Sequence, residues 1–192
     1  MRKLTIMLIG LLICTLTTSQ TYSSVTSDKE IYDFLNWMTI NSKKYDEEPK
    51  LKQKRISCKI LNWDEAVFFT DTVQVNNRQI IADYDCLYQT RSGTDTIFNQ
   101  QDRNFIYQQF TAIKDSIWHQ SFSNSKLLAD QKQKRPNRYY YSIPLFSLNK
   151  NYVIINKAYY CGDECAYGGH YVYKRIGTKK WKFVTVIMSW MS

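Results

Sequence analysis

Histidine is nearly absent: His119 and His170 are the two in 192 residues. That scarcity restricts general acid–base and nucleophilic schemes, which most often recruit imidazole. No serine sits in a Gly-x-Ser-x-Gly elbow, and no glycine-rich loop precedes a helix in the phosphate-binding manner. There is no internal repeat and no low-complexity tract. After residue 16, no apolar stretch approaches the ~20 residues needed to cross a bilayer. These absences exclude the commonest enzyme signatures and a membrane-spanning mature chain.

What is present begins at the N-terminus. Arg2-Lys3, the apolar run Leu4 to Leu16, and polar Thr17-Thr18-Ser19-Gln20 read as a secretory signal peptide. Thr17 and Ser19 are the small residues of the cleavage site, so cleavage is expected after Ser19. A rival reading makes Cys14, in Leu11-Leu12-Ile13-Cys14, an acylated lipobox cysteine. Ile13 is bulky where the peptidase prefers a small residue, and thirteen residues make a short leader. Residues 20–192 are then one exported domain, inside the range of roughly 50–250 residues for a single core. The product is expected in the periplasm or outside the cell.

Taking away residues 1–19 removes Arg2 and Lys3 and no acid, leaving 24 Lys+Arg against 17 Asp+Glu, a net charge of +7. Export argues against nucleic acid as a partner for that charge. Ordinary solubilising surface charge explains it, with an anionic envelope polymer as the alternative.

Along the chain, Ser27-Asp28-Lys29-Glu30 fits a capping box. Ile31, Phe34, Leu35 and Met38 follow at i, i+3, i+4, i+7 and predict an amphipathic helix of about fourteen residues. Ser42 to Arg55 reads as a charged loop containing Pro49. Short strands are predicted at Ile56–Leu61, Ala66–Phe69 and Gln79–Ala82, separated by turn residues such as Asn62, Asn76 and Asn77. Asn99 caps a second amphipathic helix, Asp102 suits its dipole, and Ile106, Phe110, Ile113 and Ile117 form its apolar stripe. Ser121 to Arg138 is a polar connector with the basic run Lys132–Arg138. Strands at Tyr139–Phe146, Tyr152–Tyr160, Gly169–Ile176 and Lys180–Trp190 follow as a C-terminal β-meander. Its last connection, Gly177-Thr178-Lys179, is expected to use glycine for positive φ. The fold class is α+β with a mostly antiparallel sheet.

Four cysteines survive cleavage: Cys58, Cys86, Cys161 and Cys165. In an oxidising compartment they are candidate disulfides, with three possible pairings. Cys161-Gly162-Asp163-Glu164-Cys165 can close the tip of a hairpin, contributing about 2 kcal/mol by loop-closure arithmetic. A Cys58–Cys86 bridge would contribute about 3.5 kcal/mol on the same model. Cys161, Cys165 and His170 could instead hold zinc, but a fourth cysteine is missing. A redox-active pair would normally have two intervening residues and a helix N-terminus. No cofactor and no metal is expected.

Asp115 and His119 lie four apart and could share a helical face, although the dipole alone favours a histidine at a helix C-terminus. Asp83 and Asp85 alternate on a strand end beside Cys86 and could act in hydrolysis or bind calcium; most such pairs are solvated turn residues. Tyrosines cluster late in the chain: Tyr139-Tyr140-Tyr141, Tyr159-Tyr160, Tyr167, Tyr171 and Tyr173. Strand alternation turns about half of them away from the core. The surface singled out for contact is Tyr159, Tyr160, Asp163, Glu164, Tyr167, His170 and Tyr171, with the basic connector beside it.

Ser142-Ile143-Pro144-Leu145-Phe146, then Tyr160-Cys161-Gly162 with Cys165 and Gly168-Gly169, then Trp181-Lys182 and the closing Trp190-Met191-Ser192 form a recurring order. It resembles a family of small exported bacterial proteins of unknown function, with an S-x-P-[IL]-F strand, a CG-x2-C loop and a tryptophan–serine end. Asp102 and Gln108 fit the same pattern. In that family a glycine follows the second cysteine directly; here Ala166 and Tyr167 intervene. The resemblance covers mainly residues 139–192 and implies export and a shared fold, but no activity.

The resulting expectation is a disulfide-stabilised, non-enzymatic binding module for an envelope protein or anionic polymer. The alternative is a periplasmic or secreted hydrolase using Asp83, Asp85 or Asp115 with His119 or His170.

Overall fold

The computed structural model describes residues 21–41, 54–63, 74–75, 78–79, 97–129, 137–162 and 165–191. Helix α1 (Asp28–Asn41) has the expected length. The Glu30 N–H donates to Ser27 Oγ at 3.3 Å, and the Ser27 hydroxyl reaches Glu30 Oε2 at 3.2 Å. Ile31, Phe34, Leu35 and Met38 are each 0% exposed, so the apolar spacing marks the face that is buried.

β1 (Lys54–Ser57) follows, then a small antiparallel pair, β2 (Gln74–Val75) and β3 (Arg78–Gln79). After helix α2 (Gln100–Thr111) come β4 (Ser125–Leu128), β5 (Arg138–Tyr141), β6 (Leu145–Phe146), β7 (Tyr152–Gly162), β8 (Cys165–Gly177) and β9 (Lys180–Met191). Among the described residues, one sheet runs in the order β4-β1-β5-β7-β8-β9, with β6 also on β7. β7, β8 and β9 are successive antiparallel neighbours, as the spacing of the last strands predicts. The α+β class with a mostly antiparallel sheet holds.

Several expectations change in detail. β1 lies parallel to both β4 and β5, giving the sheet a parallel side that the sequence pattern does not announce. β4 falls inside the expected polar connector, where the short Ser-Lys-Leu-Leu segment becomes a strand by pairing with β1. The strand predicted at Ile56–Leu61 starts at Lys54 instead and leaves the sheet after Ser57. Beyond that point Ile60 donates to the Ser116 carbonyl and Leu61 to that of Tyr141, both outside β1's ladder. The expected Tyr139–Phe146 strand divides into β5 and β6 around Ser142-Ile143-Pro144; proline offers no N–H to a ladder. The β8–β9 turn places positive φ at Lys179 (54°), not at Gly177. The strand expected at Ala66–Phe69 lies outside the described residues, as do most of the expected 42–55 loop and the basic run up to residue 136.

The second helix stops sooner than its apolar spacing suggests. Asn99 caps it with a full capping box to Asp102, but α2 ends at Thr111, before Ile113 and Ile117. Both isoleucines sit instead in isolated bridges, to Ser23 and Lys59, and Ile117 is 47% exposed. Past the cap the amides leave the helical pattern: Ile113 donates to the Phe110 carbonyl at 3.3 Å and Lys114 to that of Tyr22 at 3.0 Å. Asp115 Oδ1 then accepts the N–H groups of Ser116 (2.7 Å) and Ile117 (3.0 Å), which keeps the stretch in a turn.

Two hydrophobic clusters cover the two faces of the sheet. α1 packs with Tyr139, Tyr141, Val153, Ile155, Tyr159, Tyr173 and Trp181 on one side. Trp63, Phe98 and Ile106 of α2 pack with Leu145, Ile154, Val172 and Ile187 on the other. Gln109 ties α2 to β6 by imitating a strand: its Nε2 donates to the Phe146 carbonyl at 2.6 Å and its Oε1 accepts the Phe146 N–H at 3.0 Å. The same Oε1 accepts the Thr26 hydroxyl at 2.8 Å. Gln109 is 1% exposed, so truncation strands all three partners away from water. Gln109→Ala is expected to lower unfolding stability by about 3 kcal/mol. The exposed control Gln101→Ala should stay within about 0.5 kcal/mol. Urea denaturation followed by circular dichroism measures both.

Candidate functional site

The residues singled out in the sequence do not assemble into one surface. Tyr159 is 3% exposed and packs between Tyr139 (4.6 Å) and Tyr167 (5.4 Å) on the α1 side. Tyr171, on the same side, lies beneath the Lys157 ammonium, 3.9 Å from its ring centre. His170 is on the opposite face, 2% exposed, with its ring stacked on Trp63 at 5.5 Å and 13°. Burial removes it from any surface contact. Tyr160, Tyr167 and Tyr171 are half-buried, Tyr160 on the side opposite α1 and the other two on the α1 side. Asp163 and Glu164 lie outside the described residues, as do Asp83, Asp85 and Cys86.

Cys161 and Cys165 form the expected disulfide, with Cα atoms 5.2 Å apart across the β7–β8 hairpin. That distance lies within the ~4.4–6.8 Å such a bridge requires. Cys58 is a half-buried free thiol, and the partner expected for it, Cys86, is among the residues not described. Among the described residues no three His, Cys, Asp or Glu side chains are grouped to hold a metal.

Strand alternation sorts the tyrosines as pleating requires. Tyr139 and Tyr141 point into the α1-side core at 2% and 1% exposure, while Tyr140 points the other way. Tyr140 meets Tyr160 edge-on at 5.2 Å, and Tyr160 meets Trp190 at 6.2 Å. Trp190 lies over Gly168. A Cβ there would come within 2.7 Å of the Trp190 ring and of the Lys157 carbonyl, so glycine is what lets the indole settle on β8. Trp190 is 39% exposed and Met191 87%. The result is a rim of aromatic rings on the side of the sheet facing α2, at the disulfide end of the hairpin. Tyr140 and Trp190 were not singled out for contact; the alternation of the Tyr139–Tyr141 run is the signal that finds the former.

A second feature is a cavity of about 520 Å³ lined by Thr21, Tyr22, Asp28, Lys29, Tyr32, His119 and Gln120. Asp28 holds the chain before α1 in place, accepting the Thr21 N–H (2.9 Å to Oδ2) and the Tyr22 N–H (3.2 Å to Oδ1). Tyr22 Oη lies 2.6 Å from Tyr32 Oη and accepts the His119 N–H at 3.0 Å. Burial first, and then the Tyr22 hydroxyl, push the Tyr32 phenol far above its ordinary range, so it stays neutral.

His119 Nε2 lies 2.7 Å from Asp115 Oδ2. The imidazole contact holds the Asp115 carboxyl below its usual range; burial opposes this, and the N–H groups of Ile117 and Ser116 add to the lowering. Both residues lie past the end of α2, so the pair owes nothing to a helix face or a helix dipole. His119 packs against Tyr22 on the α1 side (5.9 Å), whereas His170 lies on the other side of the sheet. The two histidines therefore cannot serve one centre.

No protein-family model, no curated protein and no solved structure matches the chain. Among the described residues no helix is long and apolar enough to cross a membrane.

Cys161→Ser/Cys165→Ser is expected to lower unfolding stability by about 2 kcal/mol and to open the hairpin to proteolysis. Unchanged stability, with two reactive thiols at these positions in the native protein, contradicts the bridge. A depressed folded pKa means that Asp115 contributes stability above the unfolded carboxylate value and loses it as pH falls through the lower folded one. Asp115→Asn should therefore shrink the drop in Tm between about pH 6 and about pH 3, measured by thermal melts against wild type.

Proposed function

We propose that the chain is an exported, non-enzymatic binding module that recognises a protein or an envelope polymer through the aromatic rim of Tyr140, Tyr160 and Trp190. One observation carries this reading: three rings in sequence along one sheet face, the last of them more than a third exposed, held by a disulfide-closed hairpin. Rigid aromatic side chains offer large contact area at little entropic cost, which is why they dominate binding hot spots. Trp190 is also the one exposed tryptophan of the five; Trp63, Trp118 and Trp181 are buried and Trp37 half-buried.

Export through an N-terminal signal peptide accounts for the apolar Leu4–Leu16 run and suits a cysteine pair that is oxidised. The rim favours stacking over charge pairing as the mode of contact. Arg138, which ends the basic run, is 4% exposed and turned inward, so it adds no surface charge.

Asp115 and His119 supply a proton acceptor and the carboxylate that orients it. Hydrolysis needs a nucleophile or activated water beside such a pair, held in common geometry. His170 cannot join them from across the sheet.

Titration of the secreted protein with isolated envelope fractions, followed by tryptophan fluorescence, tests the proposal. Binding should change the Trp190 signal, and Trp190→Ala should weaken binding by at least about tenfold with Tm unchanged. Equal binding by wild type and Trp190→Ala would remove the rim as the contact surface.

A further inference from the structure

We infer that the cavity between the N-terminal segment, α1 and His119 is a binding site for a neutral, hydroxyl-rich ligand of the sugar class. It is built from different residues than the aromatic rim and does not depend on it. Its volume, about 520 Å³, falls within the ~300–1,000 Å³ typical of small-molecule sites.

The hydrogen-bond inventory of its walls defines the ligand. Tyr22 and Tyr32 carry one hydroxyl hydrogen each, and their oxygens are 2.6 Å apart, so one hydrogen is used between them. The Tyr22 oxygen also accepts the His119 N–H, which consumes an acceptor and no hydrogen. Whichever phenol donates to the other, one O–H is left over, and both phenols line the cavity. Tyr22 is 2% exposed, so that donor is oriented by a buried framework. It calls for an oxygen acceptor on whatever enters.

Charge narrows the class further. The Lys29 ammonium is held by Asp33 at 2.8 Å, so the lysine of the lining already has a carboxylate partner. Asp28 accepts the Thr21 and Tyr22 amides and keeps its charge, so the lining offers one carboxylate beside one ammonium and an excess of neither. What these walls offer is the surplus phenol donor, the Asp28 carboxylate, the side chains of Thr21 and Gln120, and the exposed His119 ring, which lies 5.9 Å from that of Tyr22. Hydroxyl groups that both accept and donate, attached to C–H faces that lie on aromatic rings, match this lining. A ligand of either sign would meet a like charge in the same walls.

The test uses the secreted, disulfide-intact protein and backbone amide NMR. The probes are glucose, galactose, mannose and N-acetylglucosamine, with galacturonate as the anionic comparison and spermidine as the cationic one. At least one neutral sugar is expected to shift the amides of residues 21–32 and 119–120 saturably, and to bind more tightly than either charged probe. The double variant Tyr22→Phe/Tyr32→Phe, which removes both phenol hydrogens and with them the surplus one, should weaken that sugar by about tenfold, the value of one neutral hydrogen bond. Gln120→Ala, at an exposed side chain that cannot disturb folding, should weaken it too, while Trp190→Ala leaves it unchanged. The inference is overturned if none of the four sugars shifts these amides, if a charged probe binds more tightly, or if a folded Tyr22→Phe/Tyr32→Phe variant binds as well as wild type.

Discussion

Val153, Ile154 and Ile155 are consecutive in β7 and all are 0% exposed. Neighbours in a strand point to opposite faces, so this is possible only if both sides of the sheet are covered. α1 covers one side through Phe34, which meets Tyr173 at 5.5 Å and Trp181 at 5.4 Å. α2, Trp63 and Phe98 cover the other. Everything else follows from that two-sided burial: β5 and β8 flank β7, the helices are assigned to opposite sides, and the histidines are separated.

Several polar groups inside this arrangement have a specific answer to desolvation. Gln109 borrows the backbone of Phe146, and Asp102 closes the α2 cap while accepting the Leu148 N–H at 2.9 Å. Lys54 and Lys157 are 2% and 5% exposed, and both ammonium groups lie over tyrosine rings, Tyr139 and Tyr171. A ring face offers a buried cation partial compensation where water cannot reach it. The abundance of tyrosine late in the chain thus serves the interior as much as the surface. Only the members that alternation turns outward, Tyr140 and Tyr160, extend to the exposed rim with Trp190.

Local signals in the sequence were reliable where the interactions themselves are local. Ser27, Glu30 and the Ile31–Met38 spacing lie within three turns of one helix, and α1 forms as they indicate. The three-residue gap between Cys161 and Cys165 places the bridge correctly. The same kind of reading overran at α2, because Ile113 and Ile117 keep helical spacing while Lys114 gives its amide to the Tyr22 carbonyl and Asp115 takes those of Ser116 and Ile117. β4 was invisible, since Ser125–Leu128 has no alternation and gains its ladder only from β1, about seventy residues earlier. The cavity was equally hidden: Tyr22 and Tyr32 are ten residues apart, and Tyr22 and His119 ninety-seven.

The sequence by itself determined the helix starts, the apolar face of α1, the disulfide across the hairpin, the alternation of the tyrosines and the succession of the last three strands. Each of these depends on residues a few positions apart, whose geometry is set by backbone periodicity. Only the tertiary structure decided which face of the sheet each side chain occupies relative to the helices. It also buried His170, left Trp190 outside, and brought Tyr22, Tyr32 and His119 around one cavity. Those outcomes come from long-range strand pairing and burial, where many registers share one local pattern and packing on both sides of β7 selects among them.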